Sequence, residues 1–191
     1  MVRRLVPLAL AALLAALSAP ARAADDLAAV RAKVAAAMQG AKSFVVVTTA
    51  TTGFTVTMTF VAPDRYHSSL AYGGGTRDIV LVGPVAYVSA DGGQTYRKTD
   101  TPASVLEAQS QLRNVPVDEL LPDKIVAGKT WGQFATTAAG PEKDQHLTCT
   151  YDKKTYRLND CVNEGFSLVF SRYDDPANVV TIPAVASPAP R

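Results

Sequence analysis

The chain has 191 residues, 48% of them hydrophobic and 19% charged, which is ample for one domain and too few for two ordinary ones. A core of that size needs neither a metal nor a dense disulfide framework to fold. With 19 Lys and Arg against 17 Asp and Glu, the net charge is +2, which excludes the basic excess of a nucleic-acid binder, and the composition excludes a disordered or collagen-like chain.

The N-terminus reads as an export signal. Arg3 and Arg4 form a positive region, Leu5 to Leu17 an apolar run interrupted only by Pro7, and Ala21-Arg22-Ala23 a small-x-small cleavage site. The run falls short of the roughly 20 residues that a membrane-spanning helix needs. Cleavage after Ala23 removes residues 1–23 and three arginines. No cysteine precedes Cys149, so no lipid is attached at a new N-terminus, and no later stretch is long enough to span a bilayer. The expected product is a periplasmic or secreted protein with one domain at 24–183 and a Pro/Ala-rich disordered tail at 184–191.

Asp25 and Asp26 offer N-cap oxygens to a helix in which Leu27, Val30, Val34 and Met38 recur at helical spacing, ended by Gly40. Strand signals follow from Ser43 to Thr51 and from Phe54 to Val61. In the second, Phe54, Val56, Met58 and Phe60 face one way and Thr55, Thr57 and Thr59 the other, as in an antiparallel sheet covered on one side. Arg65–Tyr72, Thr76–Val82 and Val85–Ser89 continue the meander across Gly73-Gly74-Gly75 and Gly83-Pro84. Thr101-Pro102 and a Ser104-x-x-Glu107 capping box predict a helix over 102–113. Asp118–Leu121 adds a turn. Strands are then expected at Lys124–Ala127, Thr130–Thr137, Leu147–Tyr151, Thr155–Val162, Phe166–Arg172 and Val179–Ile182. Phe166, Leu168 and Phe170 repeat the one-faced pattern. Segregated strand runs without β-α-β alternation predict an α+β fold on an antiparallel sheet.

Cys149 and Cys161 flank a predicted hairpin. In an oxidising compartment such a pair is best read as a structural disulfide, since a redox role prefers a close C-x-x-C near a βαβ unit. Only His67 and His146 could join them at a zinc site, so no metal is expected.

Two stretches, Val85 to Lys98 and Tyr151 to Pro183, together with the order of elements, resemble the periplasmic lipoprotein-carrier superfamily (LolA/LppX-like) over most of residues 25–183. The resemblance implies a strongly curved antiparallel sheet, an incomplete β-barrel, covered by two or more short helices over an apolar cavity. Several members carry acyl chains or lipids there. This chain lacks an acylated cysteine and a matching acyl-binding arginine.

A curved sheet with a greasy face needs helices to cover it, and short Ala- or Gln-rich helices cover it incompletely. The expected ligand-binding residues are therefore Phe54, Val56, Met58, Phe60, Phe166, Leu168 and Phe170. Packed tightly, the same residues are simply a dry core. The reading favoured here is a carrier of a lipid, acyl chain or other amphiphile, with no cofactor and with a membrane-associated protein as a further partner. One alternative is a non-catalytic envelope interaction or sensing module. A third, a hydrolase, requires His67 or His146 beside a serine and a carboxylate, and no G-x-S-x-G elbow is present. Ser89-x-Asp91-x-Gly93-x-Thr95-Tyr96 resembles an Asp-box, read as a hairpin brace without chemistry. Asp174-Asp175 reads as a solvated turn, and Trp131 as core.

Overall fold

The computed structural model describes residues 26–138 and 144–185. The export signal and most of the tail lie outside these. Two helices and eleven strands follow in the order α1 (Leu27–Gly40), β1 (Ser43–Ala50), β2 (Thr55–Val61), β3 (Arg65–Tyr72), β4 (Gly75–Val82), β5 (Val85–Ser89), β6 (Arg97–Asp100), α2 (Ala103–Arg113), β7 (Glu119–Val126), β8 (Lys129–Ala138), β9 (Gln145–Asp152), β10 (Leu158–Val162) and β11 (Phe166–Ser171). All strands join one antiparallel sheet in the order β6-β5-β4-β3-β2-β1-β11-β10-β9-β8-β7. The edges β6 and β7 do not pair, so the sheet is an open, curved half-barrel of the expected α+β class.

Between Asp100 and Glu119 the chain crosses from one edge of this sheet to the other with eighteen residues, eleven of them in α2. At a 1.5 Å rise in the helix and full extension elsewhere, that segment reaches about 40 Å. Eleven strands laid flat at 4.8 Å spacing would put the edges about 48 Å apart. The crossing therefore requires the sheet to curl.

The concave face is packed along rows that follow the register. Ala86, Leu81, Tyr66, Phe60 and Phe44 lie side by side across five strands. The Phe44–Phe60 and Phe60–Tyr66 ring centroids are 5.0 and 5.1 Å apart, a favourable aromatic separation. α1 lies in this trough. Asp26 accepts the Ala28 N–H at 3.0 Å, capping the helix, and Val30, Val34 and Met38 are at most 2% exposed. Arg31 donates from Nε and Nη2 to the Val117 carbonyl at 3.0 and 2.6 Å, pinning the connection after α2 to α1.

Several expectations change. Asp118–Leu121 is not a helical turn: it merges with the following run into β7, whose register slips between Leu121 and Lys124. Pro122 has no N–H to give, and an edge strand with a bulge is where that omission is tolerated. Arg97–Asp100 is an additional strand. The 102–113 helix forms, but its Ser104/Glu107 capping box does not: Pro102 is the N-cap, with no side-chain cap bond. β10 begins at Leu158 rather than Thr155, because Asp152 collects the Lys154 and Thr155 amides into a turn. Val179–Ile182 is not a strand. Asn178 anchors this segment instead, donating to Ser43 Oγ and the Arg172 carbonyl at 2.9 and 2.6 Å. Trp131 is half-buried, with the Lys129 ammonium 3.6 Å above its ring.

The Asp-box is a brace in its geometry. Asp91 Oδ1 accepts from Ser89 Oγ and from the Gln94 and Thr95 amides, and Ser89 Oγ accepts the Gly93 amide. Hydrogen bonds from Ser89, then Thr95, hold the Asp91 carboxyl below the ordinary carboxylate range. A depressed folded-state value means that the brace is present above the unfolded carboxyl pKa and is lost as pH falls through the folded one. The Asp91→Ala variant is expected to speed hydrogen exchange at the Gln94 and Thr95 amides by about an order of magnitude at neutral pH. In the unmodified chain those amides should stay protected down to pH 4.

Cys149 and Cys161 are paired across β9 and β10 in a disulfide. Closing a loop of this length is worth about 3 kcal/mol in the chain-entropy model, and replacing both cysteines by alanine is expected to lower the urea midpoint accordingly. Gly132 lies opposite Tyr151, and a Cβ there would stand 2.1 Å from the Tyr151 ring. Tyr151 is 1% exposed and has no room to yield. Gly132→Ala is expected to destabilise the fold by about 1–3 kcal/mol, measured by denaturant unfolding.

Candidate functional site

α1 lies in the trough, and α2 straps it without filling the space beneath. Gln109 is the one buried residue of α2, and Val105 and Leu106 are both more than a third exposed. Leu112 and, just beyond the helix, Val115 rest against the core. The connection that follows is fixed where it enters β7. Arg31 holds Val117, the Asp118 amide donates to the Ala135 carbonyl at 3.0 Å, and Asp118 Oδ2 accepts the Thr137 amide at 2.8 Å. Between this strap and the sheet lies a groove of about 440 Å³, within the usual range for small-molecule sites.

Its floor comes from β8 to β11: Thr136, Leu147, Cys161, Leu168 and Phe170, with Phe166 at the end of the row. Its roof comes from Ala108, Gln111, Leu112, Val115 and Pro116. Apolar atoms dominate the lining. Among its few polar groups, the Thr136 hydroxyl is buried with no hydrogen-bond partner among the described residues. The disulfide stands in the wall, so the covalent tie between β9 and β10 also holds the shape of the groove.

The seven expected ligand-binding residues divide. Phe166, Leu168 and Phe170 border the groove. Met58 and Phe60 belong to the packed core, at 7% and 0% exposed, and do not border it. Val56 is half-buried, and Phe54 lies ahead of β2 with 38% of its surface exposed. Around Met58 and Phe60 the trough is filled by the aromatic row Phe44, Phe60 and Tyr66 itself. Thr136 and Leu147 share the inward face with Phe134 and Cys149, and that alternation was visible in the predicted strands. The roof residues carried no signal, because α2 has no apolar stripe strong enough to mark one face.

Neither histidine assembles a hydrolytic site. His67 Nε2 lies 3.4 Å from Asp78 Oδ1 on a strand, and the exposed His146 ring approaches Thr137 Oγ1 at 3.2 Å. Neither pairs with a serine among the described residues. No group of three metal-ligating side chains comes together among the described residues, nor is any helix there long and apolar enough to cross a membrane.

No protein-family model matches the chain, and no curated protein matches it. Solved structures do. LprF from Mycobacterium bovis is 12% identical, with a TM-score of 0.52 over 83% of this chain and 97% of that one. MucB matches over 85% of this chain at 17% identity and a TM-score of 0.39. The crystal structure of MucB in complex with MucA(peri) matches over 76% at 18% identity and a TM-score of 0.35. The chain spans 64% and 54% of those two chains, and at such TM-scores they carry no argument here. The likeness to LprF is one of fold. What the two share is an open, curled antiparallel sheet strapped by helices.

Proposed function

We propose that the chain is an exported, non-catalytic binding protein that carries the apolar chain of an amphiphile in the groove beneath α2. The observation that supports this most is the mismatch between strap and trough. The crossing must pass over β8 to β11, yet it sends down only Leu112, Val115 and small or polar side chains, leaving about 440 Å³ over an apolar floor. Each methylene buried there contributes about 0.8 kcal/mol. Fifteen of them give about 12 kcal/mol, and a cost of association of about 4 kcal/mol leaves about 8 kcal/mol, which corresponds to micromolar Kd. Binding of this kind needs no cofactor, and the export signature of residues 1–23 supports an address in the periplasm or outside the cell.

A second reading, a module that docks on another envelope protein, is supported by the β7–β8 tip. Ile125 and Val126 there are 73% and 48% exposed, beside the unpaired edge of β7. The two readings are compatible, since a carrier has to meet a donor and an acceptor.

The groove is tested with the neutral apolar fluorophore N-phenyl-1-naphthylamine. The purified full chain is expected to bind it with micromolar affinity. Ala108 is exposed on the roof, so Ala108→Trp is expected to fill the groove from outside and weaken binding at least about tenfold without lowering the thermal midpoint. Absence of binding to the unmodified chain, or equal affinity in the variant, contradicts the proposal.

A further inference from the structure

The two faces of α2 look into different spaces. Opposite the groove, Gln109, Ser110 and Arg113 of α2 border a second pocket of about 450 Å³ with Gln39, Asp64 and Tyr66. Its character differs from that of the groove, since most of its border is polar. Tyr66 and Gln109 are 6% and 8% exposed, and the side chain of neither has a hydrogen-bond partner among the described residues. Their polar ends are not themselves enclosed, so the phenol hydroxyl and the amide stay available as donors to a guest in the pocket.

Arg113 adds the charge. Nη2 donates to the Gln39 carbonyl at 2.7 Å and Nη1 to the Pro63 carbonyl at 3.4 Å, and the guanidinium lies 4.8 Å from the Phe60 ring centroid. These contacts orient the group without neutralising it. None of the ion pairs among the described residues involves Arg113, and its Nε is buried without a partner. Burial raises the Tyr66 phenol above its ordinary pKa, with Arg113 pulling the other way and Asp64 adding to the rise, so the hydroxyl stays a donor at neutral pH. Asp64 rests against the Gly83 turn, its Oδ2 3.0 Å from where a Cβ would stand. Its carboxylate disfavours more than one negative charge in the pocket.

We propose that this pocket seats a singly charged oxyanion, a phosphodiester or carboxylate, that forms the head of the amphiphile whose chain occupies the groove. A guanidinium, an amide NH₂ and a phenol hydroxyl are the donors that such oxygens require. Asn114, at the C-terminal end of α2, borders both spaces, so head and chain meet around the end of the strap. This rests on the groove accepting a chain, and the experiment separates the two.

Isothermal titration of the full chain compares palmitoyl lysophosphatidylglycerol, monopalmitoylglycerol and inorganic phosphate. The charged lipid is expected to bind about tenfold more tightly than the neutral one, and free phosphate more weakly than either. Arg113 also holds two carbonyls, so the informative variants are Tyr66→Phe, which removes only the unpartnered hydroxyl, and Gln109→Leu. Each is expected to cut the charged-to-neutral ratio to threefold or less (about 0.7 kcal/mol remaining), with neutral-lipid binding serving as the reference for the groove. Equal affinities for the two lipids in the unmodified chain, or a ratio retained in both variants, overturns the head pocket and leaves the groove standing. Phosphate binding more tightly than either lipid overturns the assignment to a lipid head and makes the pocket a site for free oxyanions.

Discussion

The reach of eighteen residues between two unpaired sheet edges constrains everything else in this molecule. A flat sheet of eleven strands is too wide for the segment that joins β6 to β7, so the meander that precedes α2 and the one that follows it must curl toward each other. Curling creates a concave side, and a concave side lined by Phe44, Phe60, Phe134, Tyr151 and Phe170 has to be removed from water. α1 does so with three fully buried side chains at helical spacing. The strap adds little apolar cover, since it lies where the chain has to pass and its one buried residue is Gln109.

That asymmetry explains how one kind of strand pattern has two outcomes. Phe54 to Phe60 and Phe166 to Phe170 alternate alike, and both runs became strands with the anticipated inward faces at Met58, Phe60 and Phe170. Whether an inward face is wall or core depends on what lies above it, and this is settled by where helices land. Phe60 meets Phe44, Tyr66 and the Arg113 guanidinium. Leu168 and Phe166 face the groove beneath the strap. Local periodicity contains the first level of this organisation and not the second. The helix of Val30, Val34 and Met38 was legible because its stripe is local, and so was the Asp-box, whose partners lie within a few residues. The first half of β7 was not, because Pro122-Asp123 interrupts the pattern ahead of the strand expected from Lys124, and only pairing with β8 restores it. The pairing of β1 with β11, which unites the two meanders, has no local signature at all.

The helix that leaves the groove open also separates two chemistries. Its inner face presents Ala108, Gln111 and Leu112 over apolar strands, and its other face presents Gln109, Ser110 and Arg113 to a polar pocket. A helix read for burial alone looks poorly suited to its place, since its single fully enclosed side chain is a glutamine. Read as a divider between a chain site and a head site, the same composition is coherent. Arg113 then has a double role: it ties the end of the strap to Gln39 and Pro63, and it leaves one guanidinium edge unsatisfied.

The central claim is that the space beneath α2 is occupied by an apolar guest rather than closed by the protein. Native mass spectrometry of the chain, purified from a host that exports it and then incubated with a lysophospholipid, reads this most directly. The account predicts one bound amphiphile per chain, lost on collisional activation and absent when Trp replaces Ala108. A bare protein mass before and after incubation, at lipid concentrations well above micromolar, would contradict it.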